Sequence, residues 1–117
     1  MCVAGDGDFL MNGQELATAA QHGASLLVIL VDNGSYGTIR MHQERDYPER
    51  ISGTGLANPD FAKLAEAFGG WAARVERTAD FAPALAEAMA RDGIRLIHCV
   101  TDVEQITNAT TLSALRA

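Results

Sequence analysis

Asp6, in Gly5-Asp6-Gly7, and Asn33, in Asp32-Asn33-Gly34-Ser35, stand 27 residues apart, and each follows a run of apolar residues. One run is Cys2-Val3-Ala4 and the other is Leu26 to Val31, with a helix-like segment between them. This is the pattern of a βαβ unit that delivers a carboxylate and an amide at the C-terminal ends of two parallel strands. Ligands of open α/β sheets bind at that edge. A hard cation such as Mg²⁺ takes oxygen ligands and usually keeps a phosphate partner. Asp and Asn oxygens, joined by a carbonyl of the following loop, are the donors it requires.

The elements that must hold these residues follow from apolar spacing. Residues 26–31 form a continuous apolar run, as expected of a strand buried on both faces. Asn12 is placed to cap a helix to about His22, with Leu16, Ala19 and Ala20 on one side. A short helix is expected over 36–44, and a loop over 46–57, which holds Pro48, Gly53 and Gly55. Asn58-Pro59 reads as a helix start, with Asn58 as N-cap and Phe61, Leu64, Ala65 and Phe68 as the apolar stripe. Gly69-Gly70 closes that helix. A strand is expected over 71–75, and a helix capped by Thr78 follows to about Arg91, carrying Phe81, Leu85 and Met89. A final strand spans 95–100, and an irregular tail runs from Thr101 with a short helical turn. Alternation of strands and helices predicts an α/β fold: a doubly wound parallel sheet with helices on both faces.

Composition narrows the function. Of 117 residues 48 % are hydrophobic, so a folded domain is expected. The net charge is −6 and the nine basic residues form no stripe, which argues against nucleic acid as a partner. The charge does not oppose binding of a diphosphate, because a cation and backbone N–H groups can carry that interaction. No apolar run approaches the ~20 residues that span a bilayer, and the N-terminus lacks the basic start of a signal peptide. A cytoplasmic location is the expectation, with Cys2 and Cys99 as reduced residues of buried strands.

Gly5-Asp6-Gly7, then Asp32-Asn33 after a hydrophobic strand, resembles the cofactor motif of thiamine diphosphate enzymes. The closest likeness is to the acetolactate synthase and 2-oxoacid decarboxylase group. The stretch from Gly5 through Glu15 to Ala19 is similar to that group throughout, and so is the tail from Thr110 to Arg116. The resemblance implies that residues 1–117 are a C-terminal thiamine diphosphate-binding domain lacking its first part, with 101–117 as its tail. It also implies that thiamine diphosphate and Mg²⁺ bind together. Asp6, Asn33 and the Ser35 carbonyl are the implied metal ligands. Gly5 and Gly7 suit a tight turn beside a phosphate, and the N–H groups of Asp8, Phe9 and the Tyr36 region are implied diphosphate donors.

Two positions depart from the group's pattern. Asp32 stands where Asn is frequent, and it is expected to face away from the cation in a supporting role. Asp8 stands where Ser or Ala is frequent, so its carboxylate would repel the diphosphate unless it points to solvent or to the metal.

No catalytic residue is assigned within this segment. Glu15 is read as an ordinary helix residue, because the activating glutamate of the group lies in the N-terminal domain of a partner subunit. Tyr36 and His42 follow the loop and are candidates to face substrate, with plain loop and helix surface as the simpler reading. His98 alternates within a core strand and reads as a satisfied core histidine. The implied function is the cofactor anchor of a 2-oxoacid carboligase or decarboxylase, inactive alone and completed by a missing pyrimidine-binding domain or partner subunit, with a homo-oligomer expected. A truncated, non-catalytic diphosphate- or partner-binding module is the alternative. Phosphotransfer to Asp6 ranks last, since the sole lysine, Lys63, lies within a helix.

Overall fold

The computed structural model describes residues 1–116; Ala117, the last residue of the expected tail, lies outside the described residues. The strands are β1 (Cys2–Gly5), β2 (Leu26–Asp32), β3 (Trp71–Val75) and β4 (Ile94–Val100). They form one parallel sheet in the order β1-β2-β4-β3. The helices are α1 (Asp6–Asn12), α2 (Leu16–Gln21), α3 (Gly37–Asp46), α4 (Phe61–Ala67), α5 (Thr78–Met89) and α6 (Leu112–Leu115). A 3₁₀ turn, Gly13–Glu15, joins α1 to α2.

The two-residue period of a strand divides the sheet's side chains between two cores. Val28 and Leu30 of β2 and Ile94 and Leu96 of β4 pack on one face against Phe9, Leu16, Phe61 and Ala65 of α1, α2 and α4. Leu27, Val75 and Ile97 pack on the other face with Ala88 of α5. Helices on both faces of a parallel sheet are the doubly wound architecture that the apolar runs predict. Phe61 is fully buried and stands edge-on to the rings of Phe9 and His98, at centroid distances of 5.6 and 5.3 Å.

Five expectations need correction. The N-cap of α5 is Arg77, and Thr78 is its first helical residue. The first helix starts at Asp6 rather than Asn12. Gly5 is extended at its N-cap, and Asp8 in the first turn accepts from the Gly5 N–H at 3.4 Å. An acidic first turn also suits the positive end of the helix. Asn12 ends that helix, and the chain resumes helically after the Gly13 turn. The cap of α4 is Asp60, whose carboxylate accepts from the Lys63 N–H at 3.1 Å; Asn58 and Pro59 lie ahead of it. Met89 is exposed, and the buried residue of that turn of α5 is Ala88. Cys2 is exposed because β1 is an edge strand, as is Val3 at 65 %.

The tail returns across the C-terminal edge of the sheet. The Thr101 N–H donates to the Asp32 carbonyl at 2.8 Å. Glu104 accepts from the Ser113 N–H and hydroxyl, at 3.1 and 2.7 Å, and so ties α6 to the preceding loop. Arg116 then pairs with Glu44 of α3, a fully buried carboxylate that also pairs with Arg40 and accepts from the Glu49 N–H. The hydrogen bond from Arg116 is the main cause that pulls the Glu44 carboxyl down to about 2, followed by the Glu49 N–H; burial opposes them, and the bond from Arg40 adds to the lowering.

Two outcomes follow from this packing. Phe61→Ala removes a fully buried side chain from the core on the α1, α2 and α4 face of the sheet and should cost about 3–5 kcal/mol of unfolding free energy in a urea titration; a loss below about 1 kcal/mol would show that the site collapses without strain. The Glu44 carboxyl lies lower in the folded chain than its ordinary 4.5, so the stability it confers is complete above pH 4.5 and lost as pH falls toward about 2. The Arg116 side-chain resonance should report release of the C-terminal turn within that window. Release already complete above pH 4.5 would contradict the assignment.

Candidate functional site

The register of β1 on β2 decides where the two polar strand ends meet. Gly5 pairs with Val31, so the next residues, Asp6 and Asp32, come side by side at the C-terminal edge. Both carboxylates share the same two donors. The Gly34 N–H lies 2.9 Å from Asp6 Oδ2 and 3.0 Å from Asp32 Oδ1. The Asn58 side-chain amide donates to the same two oxygens at 2.7 and 2.8 Å. Gly34 reaches them from a left-handed conformation, φ 66°, which a glycine adopts without the cost borne by residues with a Cβ.

Asp32 is held on its other oxygen by His98 Nε2, at 2.7 Å. Sheet geometry explains the pair. His98 lies opposite Leu30, and Asp32 follows Leu30 by two residues, so all three project to the Phe61 face. Burial alone raises the Asp32 carboxyl. Hydrogen bonds from His98, Asn58 and the Gly34 N–H outweigh it and hold the group below the usual carboxylate range. His98 is thus buried and bonded through one ring nitrogen, as its alternation suggests, while Nδ1 has no partner among the described residues.

Asn33 projects from the opposite side of the chain and closes a tight loop, its Oδ1 accepting from the Ser35 N–H at 3.0 Å. The Ser35 hydroxyl donates to the Thr54 carbonyl at 2.9 Å, and the Tyr36 N–H donates to that same carbonyl at 2.9 Å. The Leu56 N–H donates to the Gly34 carbonyl at 2.8 Å. Two loops, 33–36 and 54–58, are thereby stitched together over the strand ends. Among the described residues no donor reaches the Ser35 carbonyl.

A cleft of about 390 Å³ opens here, within the size range of small-molecule sites. Gly5, Asp6, Gly7, Asp8, Asn33, Ser35 and Tyr36 all line it. The sequence thus brings seven of its eight candidate residues to one cavity. Asp32 does not line it. Phe9 is the exception among the eight. Its ring belongs to the core, and by helix geometry its N–H is the first in α1 to find an intrahelical acceptor, which leaves the amides of Gly7 and Asp8 unspent by the helix. Gly7 has a steric reason to be glycine: a Cβ there would stand 2.7 Å from the Tyr36 ring. His42 lies outside the cleft, exposed and bonded to Arg45 at 2.8 Å. Glu15 accepts from the Thr18 hydroxyl at 2.6 Å on the surface of the first helical segment.

Residues that sequence reasoning missed are Asn58, which holds both carboxylates, and Ile106, a tail residue on the wall of the cleft. The local signal at Asn58-Pro59 is ambiguous. It marks a helix start, yet it also holds Asn58 extended, because a residue before proline avoids the helical region.

The family described as "Thiamine pyrophosphate enzyme, C-terminal TPP binding domain" matches residues 1–99. The acetolactate synthase isozyme 2 large subunit of Escherichia coli K12 is 39 % identical over 103 residues, which cover 87 % of this chain and 19 % of that protein. An acetolactate synthase large subunit of Mycobacterium tuberculosis is 44 % identical over 93 residues, covering 75 % of this chain and 15 % of that protein. The chain therefore spans about a fifth or less of these relatives. The solved structure of a Rhodococcus jostii thiamine diphosphate-dependent 4-hydroxybenzoylformate decarboxylase superposes with a TM-score of 0.78 and 30 % identity, over 86 % of this chain and 19 % of that one. No helix among the described residues is long and apolar enough to cross a membrane. A match that runs from β1 through Cys99 of β4, and a shared fold over most of the chain, make this protein a member of the thiamine pyrophosphate enzymes, corresponding to their C-terminal TPP-binding domain.

Proposed function

We propose that the chain anchors thiamine diphosphate through a divalent cation, Mg²⁺, held by Asp6, Asn33 and the Ser35 carbonyl, within a 2-oxoacid carboligase or decarboxylase of the acetolactate synthase type. The observation that carries this reading is the division of labour at Asp6. One oxygen, Oδ2, is committed to two N–H donors. The other takes none of the hydrogen bonds found among the described residues, and the residue lines the cleft although only 3 % of its surface is exposed. The donor set fits a hard cation: a carboxylate oxygen, an amide oxygen with a lone pair to spare, and a carbonyl without a donor.

The glycine-bounded start of α1 supports the cradle for the diphosphate, with the amides of Gly7 and Asp8 unspent by the helix. Asp8 is exposed, and its carboxylate folds back toward the Gly5 N–H, which reduces its repulsion of an anion in the cleft. When bound, thiamine diphosphate supplies the carbon nucleophile and the electron sink for a 2-oxoacid substrate. This chain's residues bind and orient the diphosphate end; none of them moves a proton in this reading. Activity then requires the domain that holds the pyrimidine end, supplied by further chain or a partner subunit, and the segment alone is inactive. Free Cys2 and Cys99 are in keeping with a reducing cytoplasm.

Asp6→Ala removes the charged ligand from a site that holds a dication and a diphosphate. Calorimetry on the full-length protein should show affinity for Mg²⁺-thiamine diphosphate falling well beyond tenfold, a change of ~1.4 kcal/mol. Equal affinity in the variant would remove Asp6 from the site. The exposed edge of β1, with Met1 and Val3 outward, supports association of the chain with other copies. Light scattering should find concentration-dependent oligomers that Val3→Lys weakens; a monodisperse monomer would exclude this edge as an association surface.

A further inference from the structure

We infer that Asn58 is a positioning residue for the cation site: its amide fixes which oxygen of Asp6 faces the cleft and keeps Asp32 out of it. The inference rests on the reading of Asp6 as a cation ligand, and deepens it.

Three observations converge on Asn58. Its NH₂ group has two hydrogens, and each meets a different carboxylate, Asp6 Oδ2 at 2.7 Å and Asp32 Oδ1 at 2.8 Å. Its own Oδ1 is buried and has no partner among the described residues. The orientation of the amide is therefore set by the two carboxylates alone, and only one orientation places donors against both. The backbone that carries it is fixed independently of that contact. Pro59 restrains Asn58 to extended conformations, and Leu56 is bonded to Gly34 at 2.8 Å in the loop that also carries Asn33 and Ser35.

The consequence is a sorting of carboxylate oxygens. Two neighbouring carboxylates repel one another, and each offers two oxygens to a passing cation. On Asp32 both are occupied, Oδ1 by Asn58 and Gly34 and Oδ2 by His98. On Asp6 only Oδ2 is occupied. A cation in the cleft thus meets one oxygen of Asp6 and none of Asp32. Without Asn58, Gly34 alone supplies one hydrogen to two carboxylates, Asp6 can turn about its side-chain bond, and Asp32 Oδ1 becomes available.

The test is an electron paramagnetic resonance titration of Mn²⁺, standing in for Mg²⁺, into the full-length protein at saturating thiamine diphosphate. Unfolding in urea is followed on the same samples. Asn58→Ala should weaken Mn²⁺ binding by roughly 10–100-fold, the usual effect of losing a partner that orients a metal ligand. Asn58→Leu has nearly the same shape and stays neutral but donates nothing, so it should weaken binding about as far. Asp60→Ala, which removes the α4 cap two residues on, should lower stability and leave Mn²⁺ affinity unchanged. If both Asn58 variants lose stability but bind Mn²⁺ as the wild type does, Asn58 serves the fold alone and the inference is overturned. Tighter binding in Asn58→Leu would overturn it too, by showing that the amide hinders the cation rather than readying its ligand. Asp6→Ala is titrated in parallel: wild-type affinity in that variant removes the cation reading and this inference together, whereas its loss beside unaffected Asn58 variants removes only the inference.

Discussion

Two carboxylates, Asp6 and Asp32, arrive side by side because β1 and β2 are parallel neighbours in a fixed register, and the rest of the site follows from the need to hold them there. Unscreened repulsion between neighbouring charges in a partly buried setting would splay the strand ends. The structure opposes it with donors from three separate elements: the Gly34 N–H from the loop after β2, the Asn58 amide from the loop before α4, and His98 from β4. Each donor is placed by an ordinary structural device. Gly34 takes a left-handed turn, Asn58 precedes a proline, and His98 alternates inward on a central strand.

This network links the site to the core and to the tail. His98 stands edge-on to Phe61, which in turn meets Phe9 of α1, so the helix that opens with Asp6 and the strand that supports Asp32 share one packed cluster. On the opposite side, Thr101 bonds the Asp32 carbonyl as the chain leaves β4. From there the tail brings Ile106 to the cleft wall and Arg116 to Glu44. The cleft is therefore bounded by groups whose positions depend on long-range packing, while the polar atoms within it come from the strand ends.

The parallel sheet is legible in the sequence because its signals are local. The unbroken apolar run of β2 and the strand-helix alternation need no knowledge of partners, and Asp6 and Asn33 can be placed at one edge from them alone. Loop stitching is not legible in that way. Asn58 lies 52 residues from Asp6, and its local signal reads equally as a helix cap, a role that Asp60 takes instead. The first helix is misread for a related reason. Gly5-Asp6-Gly7 looks like a turn in isolation, yet an extended Gly5 and an acidic first turn are also a helix start, and packing of Phe9 into the core favours the latter. Cys2 and Met89 show the limit of periodicity, which marks a face as apolar without saying whether another element covers it.

On the proposed reading, the shared donors leave one oxygen of Asp6, and none of Asp32, to a cation in the cleft. A crystal structure of the full-length protein with thiamine diphosphate and Mn²⁺, with the metal located by its anomalous signal, tests it most directly. A single cation is expected at about 2.1 Å from Asp6 Oδ1, with Oδ2 still on Gly34 and Asn58. A cation bonded to Asp32, or to both oxygens of Asp6, would contradict it.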